Sequence, residues 1–188
     1  KEDNQLVELI KPFNVDIYRG ETENVLKRMS LAFNSHLDYD IILRITGDDL
    51  LIDPEYLEKG ICYHKENNLD YTDCKSLPSG TEVEVINSSV LRNILNNAED
   101  LEGTEYLTNY IVENNLIFNI GSLKVSKKHC KNYRLTLDTE KDFKVISALL
   151  NWCSKKGKKY NYNLDDIVEF FTLFPNYEKM NKSIKQKS

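Results

Sequence analysis

Apolar positions along the chain alternate between a helical and a strand period. Leu6, Val7, Leu9 and Ile10 share one side of a short helix that Pro12 must end. Residues 15–18 alternate as a strand, closed by Arg19-Gly20. A helix then carries Val25, Leu26, Met29, Leu31, Ala32 and Phe33. Residues 41–45 form a short β-branched run that predicts a buried strand. Gly47 offers a sharp exit from it, and Asp53-Pro54 is an N-cap followed by proline at the first helical position. The helix that follows reaches about His64. Residues 69–71 are a short strand, 76–81 a loop, and 82–86 a strand that alternates charge with valine. Val90, Leu91, Ile94 and Leu95 define the next helix, and 96–103 a polar loop. The pattern predicts a helix over 104–114, a strand over 116–120, a basic connection over 124–132 and an alternating strand over 133–137. Phe143, Val145, Ile146, Leu149 and Leu150 then mark a helix, and a last one spans 164–174 before Pro175.

Strands alternating with helices predict an α/β fold with a largely parallel sheet. The charged alternation of 82–86 and 133–137 suits an antiparallel or edge position. A chain of 188 residues is of single-domain length. Its core pattern runs over 1–174, and 175–188 reads as a charged tail or linker. A net charge of −5 argues against a nucleic-acid partner, which needs a basic face. No apolar run approaches the roughly 18 residues of a membrane span. Cys62, Cys74, Cys130 and Cys153 are widely spaced, which suits reduced thiols in a cytoplasmic protein rather than a zinc site or disulfide framework. His36, His64 and His129 lack ligand spacing and read as surface residues. The run Lys155-Lys156-x-Lys158-Lys159 reads as a solvated loop.

The candidate chemistry lies at two strand ends. Ile45-Thr46-Gly47-Asp48 and Leu135-Thr136-Leu137-Asp138 each deliver an aspartate before a helix. In open α/β sheets, ligands bind at the carboxyl edge of the strands. Carboxylates from separate loops there suit Mg²⁺, which takes one or two of them and completes its shell with water and phosphate oxygens. Turn and capping hydrogen bonds alone would also favour Asp at both places, and Thr139-x-x-Asp142 resembles a capping box.

Ordered strings sharpen this reading. Tyr18-Arg19-Gly20, Val25-Leu26-Lys27-Arg28, Arg44-Ile45-Thr46-Gly47-Asp48 and Ile52-Asp53-Pro54 come first. Pro78-x-Gly80 with Glu82-Val83-Glu84-Val85, Glu105-Tyr106-Leu107-Thr108-x-Tyr110 and Arg134-Leu135-Thr136-Leu137-Asp138-Thr139-Glu140-x-Asp142-Phe143 follow in order. Together they resemble the cytidylyltransferase family, closest to its spore-coat polysaccharide branch and the synthetases of CMP-activated acidic sugars. The resemblance implies a Rossmann-like three-layer sandwich with a mostly parallel mixed sheet, of the nucleotide-diphospho-sugar transferase type. It implies CTP and an acidic sugar as substrates, Mg²⁺ as cofactor and a homodimer. It assigns Asp48 and Asp138 to the metal. Arg19, Gly47, Glu82, Glu84 and Glu105 are candidate substrate-binding residues, although a solvated face or a dimer contact also suits the three glutamates.

Four departures from the family pattern stand out. The opening strand and Gly-x-x-x-Arg phosphate loop are not among these residues, so the domain is expected to be truncated at its N-terminus. Asp49-Leu50 stands where a small residue and proline are usual, Asn24 replaces an Asp, and Tyr106 and Asn109 replace a His and a Pro. Two functions follow as expectations: a Mg²⁺-dependent transferase of CMP in the complete protein, or a partial family member that serves as a non-catalytic binding module.

Overall fold

The computed structural model describes residues 3–22, 24–34, 39–97 and 107–184. They fall into two compact units, one from Lys1–Asp40 with Ser88–Glu113 and one from Ile41–Asn87 with Asn114–Ser188.

In the first unit, helix α1 (Asn4–Ile10) passes into a single 3-10 turn at Lys11–Phe13, which Asn14 ends in the left-handed region. Helix α2 (Val25–Phe33) starts at Asn24, whose side-chain oxygen accepts the Lys27 N–H at 2.9 Å. Asn24 thus keeps the capping function that an Asp would serve. Helices α4 (Ser88–Asn97) and α5 (Leu107–Glu113) complete the unit. Val90, Leu91 and Ile94 are buried on one face of α4, and α2 packs along that helix with the Arg92 guanidinium 5.5 Å from the Phe33 ring. The strand predicted at 15–18 is not formed. Alternation makes a strand only when a neighbour supplies the ladder, and among the described residues none pairs there; Val15, Ile17 and Tyr18 are exposed.

The second unit holds an open mixed sheet. Its strands are β1 (Ile41–Arg44), β2 (Tyr71–Asp73), β3 (Glu84–Asn87) and β4 (Ile120–Ser122), in the order β1-β3-β2-β4. β3 runs antiparallel to both neighbours and β2 pairs parallel with β4, so three strands point one way and β3 the other. The charged strand thus takes the antiparallel place its alternation suggested. Register sets Arg44 opposite Glu84 and Leu43 opposite Val85. Helices α3 (Pro54–Glu66), α6 (Glu140–Lys155), α7 (Leu164–Leu173) and α8 (Pro175–Asn181) accompany the sheet. Leu51, Tyr56, Leu77, Leu135, Leu149 and Phe170 lie in one buried cluster.

Three features differ from the sequence pattern. Residues 133–137 are not a strand: Arg134 makes one parallel bridge to Ser79, and the Leu135 N–H donates to the Ser79 carbonyl at 2.7 Å. The apolar run 116–118 is a turn, with the Ile117 N–H on the Asn114 carbonyl, and the strand begins only at Ile120. Past Pro175 the chain continues as α8, where Asn181 is 2% exposed.

Two local devices lock the segment 134–138. Gly80 has φ +92°, and a Cβ there would stand 2.3 Å from the Leu135 carbonyl carbon. Only glycine lets the 78–81 turn approach this backbone so closely. At the start of α6, Thr139 and Asp142 form a capping box. The fully buried Asp142 carboxylate also accepts from Arg134 Nε at 3.0 Å and from Asn181 Nδ2 at 2.9 Å. Burial opposes its charge, but the hydrogen bonds from Arg134, Asn181 and Thr139 prevail and hold its pKa below the usual carboxylate value.

Gly80→Ala is expected to cost about 2–4 kcal/mol by chemical denaturation, because it combines left-handed strain with a backbone clash. Because the folded pKa of Asp142 is depressed, its contribution to stability is complete above about pH 4 and is lost as pH falls through the folded value. Unfolding midpoints measured between pH 6 and 2.5 are therefore expected to fall less steeply for Asp142→Asn than for the parent, from a lower starting value.

Candidate active site

The chain leaves β1 through a tight turn. The Asp49 N–H donates to the Thr46 carbonyl at 3.1 Å, and Thr46 Oγ1 donates to Asp49 Oδ2 at 2.6 Å. Asp49 is thus a turn residue folded back on Thr46. Gly47 has no positive φ and open space around its Cα, so the turn does not require glycine there. The Asp48 carboxylate is half-buried and, among the described residues, carries no hydrogen bond. Asp53 is a cap, as expected, but a double one. Its Oδ1 accepts the Glu55 N–H of α3 and its Oδ2 the Leu164 N–H of α7, both at 2.8 Å.

The loop after β1 and the segment before α6 meet. The Leu137 N–H donates to the Asp48 carbonyl at 3.1 Å, which holds the backbone before Asp138 against the residue predicted as its partner. Arg134 Nη2 donates to Asp138 Oδ2 at 2.6 Å and Thr136 Oγ1 to the same oxygen at 3.2 Å. Both donors address Oδ2, so Oδ1 is without a protein partner among the described residues.

A third carboxylate group comes from β3 and its approach. Arg44 pairs across the strands with Glu84, and Tyr71 on β2 donates its hydroxyl to Glu84 Oε1 at 2.7 Å. Glu84 is therefore tied into three adjacent strands. Glu82, two residues earlier, is half-buried, and its carboxyl is pushed up to about 7. Burial is the largest cause; Asp49, Glu84 and Asp73 add repulsion, and Lys75 opposes them. The Asp49 carboxyl is also raised, by burial first, against the Thr46 hydrogen bond.

Asp48, Gly47, Glu82, Glu84 and Asp138 all belong to the second unit. Arg19 belongs to the first, where its guanidinium donates to Asn4 Oδ1 at 2.8 Å. Glu105 lies outside the described residues, as does His36. The other histidines are buried rather than on the surface. His64 bonds Thr72 and Asn87, and His129 bridges Tyr56 and Asp165. Lys156 and Lys158 are paired with Glu169 and Asp166. Sequence reasoning missed the Arg44–Glu84–Tyr71 and Arg134–Asp142–Asn181 networks. Strand register creates the first and α8 the second, and neither leaves a periodic trace.

Among the described residues, no three His, Cys, Asp or Glu side chains converge as a ready metal cage. Mg²⁺ does not need one, since it keeps several waters and binds through one or two carboxylates plus substrate phosphates. An unpartnered Asp48 carboxylate and an unpartnered Asp138 Oδ1 are hard oxygen donors of that kind, so the residues present fit Mg²⁺. All four cysteines are free thiols, and no described helix is long and apolar enough to cross a membrane.

Comparison with known proteins agrees with this architecture. The chain is 34% identical over 191 residues to an uncharacterized protein of Methanocaldococcus jannaschii, covering all of this chain and 76% of that one. It is 29% identical over 162 residues to the spore coat polysaccharide biosynthesis protein SpsF of Bacillus subtilis, covering 85% of this chain and 65% of the relative. A cytidylyltransferase structure from Leptospira borgpetersenii superposes with a TM-score of 0.83 over 98% of this chain and 76% of that one, at 22% identity, and shows the same fold. The cytidylyltransferase family model matches residues 1–171. With this match and a relative 34% identical across the whole of this chain, the chain belongs to the cytidylyltransferase family, whose reaction class is nucleotidyl transfer.

Proposed function

We propose that the protein, in its complete form, moves CMP from CTP to a hydroxyl of an acidic sugar for surface polysaccharide or glycan synthesis. The observation that carries this reading is the Leu137–Asp48 backbone hydrogen bond. It joins the loop after β1 that carries Asp48 to the segment that leads into Asp138, in a chain of the cytidylyltransferase family. The sugar oxygen forms a bond to the α-phosphorus as the bond from that phosphorus to the β-phosphate oxygen breaks. Pyrophosphate leaves, and the hydroxyl proton passes to a base or to water. Asp48 and Asp138 would hold Mg²⁺, which when bound offsets negative charge on the phosphate oxygens. The name of the Bacillus relative supports a sugar as acceptor.

The remaining carboxylates serve orientation. Glu84, held by Arg44 and Tyr71, is a fixed negative wall. Glu82 beside it is protonated below about pH 7 and ionised above, so it can donate a hydrogen bond to a sugar oxygen only on the acid side and accepts the stronger, charge-assisted bond from a sugar hydroxyl on the alkaline side. Such positioning and charge placement are the main demands of in-line attack at a phosphate. A homodimer and a Mg²⁺ requirement are part of the same proposal.

With the complete protein, CTP, Mg²⁺ and a panel of acidic sugars, pyrophosphate release is expected to depend on the acceptor. Asp48→Ala and Asp138→Ala are each expected to lower turnover by about 100-fold or more. Unchanged turnover in both would overturn the metal assignment. No acceptor-dependent release with any sugar would favour the non-catalytic binding module. Turnover is also expected to rise through about pH 7, and Glu82→Gln to lose that step; an identical profile in the variant removes Glu82 from the acceptor site.

A further inference from the structure

We infer that Asn181, at the end of α8, is a positioning residue for the Asp138 carboxylate, acting through Asp142 and Arg134. The inference rests on the reading of Asp138 as a Mg²⁺ ligand. Asn181 lies beyond residue 171, where the family match ends, in a stretch whose sequence carries no core pattern. Yet it is 2% exposed, and its amide nitrogen donates twice, to Asp142 Oδ1 and to the Arg134 carbonyl, each at 2.9 Å. Both amide hydrogens are therefore committed.

The contacts continue in one direction. Asp142 Oδ2 accepts from the Thr139 N–H and Oγ1, both at 2.9 Å, which fixes the carboxylate on the first turn of α6. Arg134 then meets it edge-on, Nε to Oδ1 at 3.0 Å and Nη2 to Oδ2 at 3.2 Å. A two-point contact of this kind sets the plane of the guanidinium. The second hydrogen of Nη2 is left for Asp138 Oδ2 at 2.6 Å. Because Arg134 is tethered at its carbonyl and along its fork, it holds Asp138 by Oδ2 and leaves Oδ1 without a protein partner among the described residues. Asn181 grips both ends of this arrangement, the Arg134 backbone and the Asp142 carboxylate. Without it Asp142 keeps Thr139 and Arg134, but the 134 backbone loses its tie to α8. The expected result is a metal ligand in the right place with a looser orientation.

A purely structural role would be to anchor α8, and a second variant separates the two. Tyr177→Ala loosens the same helix by removing a ring 5.3 Å from Phe170, and leaves the polar network untouched. The probe is Mn²⁺, titrated by electron paramagnetic resonance into the complete protein with CTP, alongside the Mg²⁺ dependence of turnover. For Asn181→Ala we expect Mn²⁺ binding about 10-fold weaker and a similar rise in half-saturating Mg²⁺, with turnover at saturating Mg²⁺ within about two-fold of the parent. Tyr177→Ala should lower the melting temperature without moving Mn²⁺ affinity. Asn181→Ser, a shorter donor, should fall between, and carries the comparison if the alanine variant does not fold. Unchanged Mn²⁺ affinity at position 181, or an equal loss in Tyr177→Ala, overturns the inference. Asp138→Asn tells its failure from that of the parent reading. If that variant binds Mn²⁺ normally, the metal assignment fails and this inference with it. If it binds weakly while the Asn181 variants do not, only the positioning role falls.

Discussion

A single buried carboxylate, Asp142, holds the second unit's working edge together. It has no exposure to water and is ionised, so its charge must be matched by donors or be expelled. Arg134, Thr139 and Asn181 supply them from three separate pieces of chain. The same contacts cap α6, tie down the segment leading to Asp138 and hold the end of α8. The helix N-terminus beneath adds a favourable field for the negative charge. Removing one donor would leave the charge less fully matched while the others still hold it, so the three contacts tie these elements into one cooperative piece.

Around this centre the fold shows what a linear pattern can and cannot carry. Features set by nearby residues were legible. The Asp53-Pro54 start of α3, the Thr139/Asp142 box of α6 and the apolar faces of α2, α4 and α6 all rest on contacts within a turn or two. Features set by distant neighbours were not. Residues 15–18 and 133–137 alternate like strands, but a strand needs an extended ladder; among the described residues the first joins none, and the second reaches only the single bridge from Arg134 to Ser79. Asn181 stands in a polar, lysine-rich stretch, where nothing local marks one amide as buried.

The site divides along the same line. Asp48 and Asp138 were readable as a pair because each ends an apolar run and the strings around them are ordered as in one family. Their adjacency is a backbone contact, which side-chain patterns do not encode. Gly47 offers a sharp exit in the sequence, yet its turn does not require glycine, whereas Gly80 sits against the Leu135 backbone where no other residue fits. Asp49, the odd residue after Asp48, is consumed by its turn with Thr46. Spacing also left the burial of His64 and His129 hidden, because their partners come from other elements.

The shared cap at Asp53 bears on the order of assembly. One oxygen is engaged by a residue two positions away, the other by Leu164, 111 residues later. The first contact costs almost no chain entropy and can form as soon as α3 coils. The second must wait for closure of a long loop. As the chain emerges from the ribosome from its N-terminal end, α3 is capped while the other oxygen faces water. The arrival of α7 then desolvates an acceptor that is already oriented, so the final closure finds a seat prepared by a local event early in synthesis.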